Sequence, residues 1–137
     1  MEDINQTLYD AARSVLKNAY SPYSEIKIGV SILSQEGEIF TGVNVENSSY
    51  PEGVCAETSA ISAMISAGHK KIKQVYVVCD FRGTGEIATP CGGCRQRLKE
   101  FASSDIKISM SNLDQSKVET HTMEALLPFS FSLKDTI

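Results

Sequence analysis

The chain has 137 residues, 42% of them apolar and 22% charged, the make-up of a soluble globular domain large enough to bury a core without disulfides. Its net charge of -4 speaks against a polyanionic partner, because a nucleic-acid binder usually carries a basic stripe and this sequence groups only Lys70, Lys71 and Lys73. No apolar run approaches the ~20 residues of a membrane span and no basic, apolar leader opens the chain, so the expectation is one cytoplasmic domain over 1–137 with reduced cysteines.

Ile4, Leu8, Ala11 and Val15 recur at helical spacing, which predicts an amphipathic helix to about Asn18, ended by Ser21-Pro22-Tyr23-Ser24. Ile26, Ile28, Val30 and Ile32 then alternate with Lys27, Gly29 and Ser31, the period of a strand with one covered face. Ser34-Gln35-Glu36-Gly37 turns the chain, and a return strand from Glu38 to about Glu46 completes a hairpin. Asn44 and Glu46 are two apart and so share one face at its end.

A loop from Asn47 to Val54 leads to a helix with Ala60, Ile61, Met64 and Ile65 on its apolar face and Gly68 as its stop. The nearly continuous apolar run from Gln74 to Cys79 predicts a strand covered on both faces. After a glycine-containing loop, Cys94, Leu98, Phe101 and Ala102 line one side of another helix. Ile106, Ile108 and Met110 alternate as a strand, Lys117 to Thr122 gives a last one, and Glu124 to Leu127 makes one helical turn before Pro128. This order predicts an α/β fold, a three-layer α/β/α sandwich on a five-stranded mixed sheet with parallel crossovers.

Chemistry concentrates in Cys55-Ala56-Glu57 and Pro90-Cys91-Gly92-Gly93-Cys94, each at a predicted helix start. Three thiols and a carboxylate suit a zinc ion with one coordination position left for water, whereas a structural site would supply a fourth ligand. Thiolate is the metal-binding form, and a helix N-terminus lowers a cysteine pKa. A water on zinc ionises near neutral pH, and a carboxylate beside it that is not a ligand can carry its proton, the role open to Glu57. Cys-x-x-Cys alone also fits a redox pair or half of a structural zinc site. Cys55-Ala56-Glu57 and the proline before the pair favour the catalytic pattern instead. Cys79, ending an apolar run, reads as an inert core thiol.

With these residues in place the chain resembles the small homotetrameric cytidine deaminases over nearly its whole length. The matching segments are Tyr20-Ser21-Pro22-Tyr23-Ser24, Gly42-Val43-Asn44-Val45-Glu46-Asn47, Tyr50-Pro51, Cys55-Ala56-Glu57, Pro90 to Gln96, and Leu126-Leu127-Pro128 through Phe131. The resemblance implies zinc on Cys55, Cys91 and Cys94, with Glu57 as the catalytic proton shuttle. It also implies that Asn44 and Glu46 hold ribose hydroxyls, that the Ala56 N–H meets the pyrimidine carbonyl, and that Tyr50 and Phe131 enter a neighbouring subunit's site. Ordinary core packing is the other role open to those two rings. The family usually has an aromatic residue at the position of Ile26, beside the nucleoside, and an arginine at that of Thr58, near the thiolates.

The implied activity is hydrolytic deamination of cytidine and 2′-deoxycytidine in pyrimidine salvage, on a small nucleoside substrate, with no nucleic-acid or membrane partner. A related deaminase of another aminopyrimidine nucleoside such as blasticidin S is the alternative that Thr58 keeps open. A non-catalytic, zinc-stabilised nucleoside-binding protein is a further one, which Glu57 argues against because neither zinc binding nor folding requires it.

Overall fold

Five strands, β1 (Ile26–Ser34), β2 (Ile39–Val43), β3 (Ile72–Phe81), β4 (Ala102–Ser111) and β5 (Val118–Thr122), form one sheet in the computed structural model, which describes residues 3–133. Their order is β2-β1-β3-β4-β5. β1 is antiparallel to both β2 and β3, β3 and β4 are parallel, and β5 returns antiparallel, so the sheet is mixed as expected. The hairpin turn closes through Gly37 N–H to Ser34 C=O at 2.9 Å, with Gly37 at φ 95°.

Across the central strands Val30, Val77 and Met110 stand in register, as do Ile32, Val75 and Ile108, and all six are essentially inaccessible. They meet Ala60, Ile61 and Met64 of α2 (Ala56–Ser66), Leu98 of α3 (Gly92–Phe101), and Met123 and Leu126 of α4 (Met123–Leu126). On the opposite face α1 (Ile4–Leu16) packs Leu8, Tyr9, Ala12 and Leu16 on Leu33, Tyr76 and Val78, which makes the third layer. Burying side chains of this size is worth roughly 1.5–3 kcal/mol each.

The buried stripe of α1 differs from the expected one. Leu8 is common to both, but Ile4 is 40% exposed, and Tyr9, Ala12 and Leu16 take the inward positions. Tyr9 sets this rotation: its ring meets Tyr76 edge to face at 5.7 Å and its hydroxyl donates to the Leu113 carbonyl. Ile65, expected on the buried face of α2, is 38% exposed. β2 ends at Val43, short of Glu46, although Val45 still bridges to Tyr20 and to Val54. Ala102, expected on α3, already begins β4, whose parallel pairing with Ile72 captures it.

One close approach fixes the position of α2. A Cβ on Gly42 would lie 2.3 Å from Ala60 N and 2.6 Å from Ala56 C=O, so only a glycine lets the first turns of α2 rest directly on β2. Among the described residues no helix is long and apolar enough to cross a membrane.

Candidate active site

β2 and β3 both run opposite to β1, hence in the same direction, and the chain leaves both at one end of the sheet. The loop after β2 enters α2 with Cys55 as its N-cap, and the loop after β3 enters α3 with Cys91 as its N-cap. Neither side chain caps its helix, so both thiols stay available. Cys94 lies three residues beyond Cys91 on the same helical face. The three sulfurs lie within 4.8 Å of one another. Thiolates around a tetrahedral zinc at about 2.3 Å would be roughly 3.8 Å apart, so a small inward movement closes them on the ion. All three are free thiols, and theirs is the one group of its kind among the described residues, leaving a fourth position open.

The electrostatics suit that reading. Hydrogen bonding from Cys94, helped by Cys91 and the charge of Arg97, lowers the Cys55 pKa to about 6 against the opposing effect of burial. Cys94 moves up for the complementary reason: its thiol donates to Cys55 and is desolvated. Metal binding releases such shared protons. Glu57 is 5% exposed, and burial, reinforced by the charge on Cys55, pushes its carboxyl up to about 7. That value suits a group that both takes and gives a proton near neutral pH. Cys79 lies apart, buried on β3, where burial and then Asp80 raise it to about 11.

A cavity of about 400 Å³ opens over the thiols and brings together Ile26, Asn44, Glu46, Ala56 and Glu57 with Cys55, Cys91 and Cys94. Ala56 is the first residue of α2, where no intrahelical carbonyl reaches its N–H. Asn44 donates to the Ile26 carbonyl at 2.8 Å and accepts from the Ile28 N–H at 2.9 Å. The Glu46 carboxylate accepts from the N–H groups of Tyr23 and Ser24 at 3.0 and 3.1 Å and from the Ser24 hydroxyl. The Ser24 hydroxyl is the main cause of its lowered pKa.

Tyr50 and Phe131 lie outside this cavity. They are 78% and 67% exposed, which excludes core packing within this chain. Tyr50 meets Tyr23 edge to face at 6.2 Å, and Phe131 is held through its carbonyl by Gln96 at 3.0 Å. Ser24 and Arg97 escaped the sequence reading as site residues. Ser24 ends the segment Tyr20-Ser21-Pro22-Tyr23-Ser24 but acts on the site only through Glu46. Arg97 was detectable, being three residues after Cys94 on a helix.

Residues 2–110 match the family described as the cytidine and deoxycytidylate deaminase zinc-binding region. A cytidine deaminase of Sporosarcina psychrophila is 35% identical over 130 residues, covering 95% of this chain and 93% of that protein. Among solved structures, the cytidine deaminase of Burkholderia pseudomallei superposes with a TM-score of 0.84 at 33% identity, covering 92% of this chain and 98% of that one. That of Mycobacterium leprae superposes at 0.77 with 40% identity, covering 92% and 99%. Zinc is the cofactor, the metal that the family's description names and that a three-thiol group suits. Matched over most of its length in sequence and in fold, the chain belongs to the cytidine and deoxycytidylate deaminase family.

Proposed function

We propose that this chain hydrolyses cytidine and 2′-deoxycytidine to the uridine products with release of ammonia. The observation that carries the reading is a buried carboxyl, Glu57, beside three converging thiols in a cavity walled by Asn44 and Glu46. Cys55, Cys91 and Cys94 would hold zinc, which would supply the Lewis acidity that lets a water ionise near neutral pH. Glu57 takes one proton of the water and delivers it to pyrimidine N3 as the oxygen adds to C4; it then takes the proton left on that new hydroxyl and gives it to the amine, so that the C4–N bond breaks with release of ammonia and C4 becomes a carbonyl. The Ala56 N–H donates to the pyrimidine carbonyl. Asn44 and Glu46, oriented by their bonds to β1 and to Tyr23-Ser24, keep spare donor and acceptor capacity for ribose hydroxyls.

On this reading the 137 residues act as one domain, in the cytoplasm, in pyrimidine salvage and as a homotetramer. Exposed Tyr50 and Phe131 support the assembly, since large rings turned to solvent are suited to completing a neighbour's pocket. The deciding experiment is ammonia release across cytidine, deoxycytidine, cytosine, adenosine, guanine and blasticidin S. Release from the first two is expected; release from none of the cytosine nucleosides would sink the reading.

Ile26 offers the pocket a branched aliphatic wall. Ile26→Phe should lower KM for cytidine by about three- to tenfold, the range of an added aromatic contact. Steady-state kinetics check it, and lost turnover with zinc content unchanged would contradict the proposed pocket.

A further inference from the structure

We propose that Arg97 is a positioning residue that balances the charge of the three-thiol centre from the face of α3. The inference rests on the assignment of zinc to Cys55, Cys91 and Cys94. Three thiolates exceed the charge of a zinc ion by one formal unit. Two helix N-termini, each equivalent to roughly half a positive charge that falls off within the first turn, offset part of that surplus. A cation close by offsets the rest.

Thr58, on the first turn of α2, carries no charge, and its buried hydroxyl has no hydrogen-bond partner. Arg95, next to Cys94 in sequence, is turned elsewhere: its Nε donates to the Pro90 carbonyl at 2.7 Å and its Nη1 to the Leu126 carbonyl at 2.8 Å. Arg97 faces the thiols. Its Nη1 stands 3.9 Å from Cys94 Sγ, an N–H···S contact between residues three apart on one helix. The side chain reaches that position by lying along Gly93, where a Cβ would stand 3.3 Å from Nη1 and 3.8 Å from Cζ. Gly93, the second of the two glycines between Cys91 and Cys94, thus leaves a guanidinium room beside the proposed metal ligands.

The test is zinc affinity of the full chain, measured by chelator competition with no nucleoside present and compared among the parent, Arg97→Gln and Arg97→Glu. Arg97 is exposed, so both variants should fold, and melting of the zinc-loaded proteins checks this. Arg97→Gln should weaken zinc binding by about tenfold or more, the usual loss for a partner of a metal ligand, and Arg97→Glu should weaken it further. Equal affinity of parent and Arg97→Gln, or equal losses in the two variants, would overturn the charge role. A parent that binds no zinc would overturn the ligand assignment beneath it. None of these results depends on which nucleoside is deaminated.

Discussion

Glu57→Gln is expected to keep its zinc and to lose turnover by about 10²-fold or more. Glutamine preserves the volume of the side chain but cannot take a proton, so the shuttle disappears while the three thiols remain. Metal analysis and single-turnover kinetics measure the two outcomes separately. Loss of zinc would make Glu57 a ligand, and near-normal turnover would remove the proposed acid and base. The zinc-stripped protein offers a second readout. There the folded carboxyl titrates at about 7 instead of 4.5, so across that window the folded chain holds a proton that the unfolded chain has released. Stability therefore falls as pH rises from about 4.5 to about 7, by something on the order of 3 kcal/mol, and Glu57→Gln should flatten that slope in chemical denaturation.

Cys91→Ala is expected to abolish stoichiometric zinc and to lower the melting temperature on the order of 10 °C or more. A ligand bound at a thousand times its Kd stabilises by about 4 kcal/mol, and a domain of this size shifts by a few degrees per kcal/mol. Cys91 is exposed and caps no hydrogen bond, so its loss reports on the metal with little contribution from packing. Cys94→Ala should lose the same metal and somewhat more stability, because Cys94 is fully buried. Treating the parent with a chelator should bring its melting curve down to that of Cys91→Ala. Cys79→Ser should retain zinc; if it instead strips the metal while Cys55→Ser does not, the ligand assignment is wrong.

The strands and helices that place the site were readable because their apolar periods are long and uninterrupted: Ile26 to Ile32, Val75 to Cys79 and Ile106 to Met110 all lie in strands. The thiols were readable as helix starts because the apolar faces of α2 and α3 begin just after them. Most of what stayed hidden depends on contacts between distant segments. The rotation of α1 is set by Tyr76 and Leu113, far along the chain, and no local pattern encodes it. The end of β2 short of Glu46 reflects the Asn44 side chain, which takes up the Ile28 N–H and the Ile26 carbonyl of β1, while the Asn44 carbonyl and the Glu46 N–H pair with Tyr20 instead. Arg97 was passed over because a lone arginine on a helix is usually a solvated one, and its target is a sulfur one turn back.

With Asn44 and Glu46 at the ribose, as proposed, the bonds that hold them before any ligand arrives shift an entropic cost from binding to folding. Immobilising a side chain on association costs about 0.5–1.5 kcal/mol, and here both side chains are already fixed, Asn44 by β1 and Glu46 by the backbone at Tyr23 and Ser24. Nucleoside affinity is thereby coupled to the order of a short segment between α1 and β1. A change that loosens that segment would restore rotational freedom to Glu46, and on the proposed reading the affinity would drop although every atom assigned to the sugar remained in the chain.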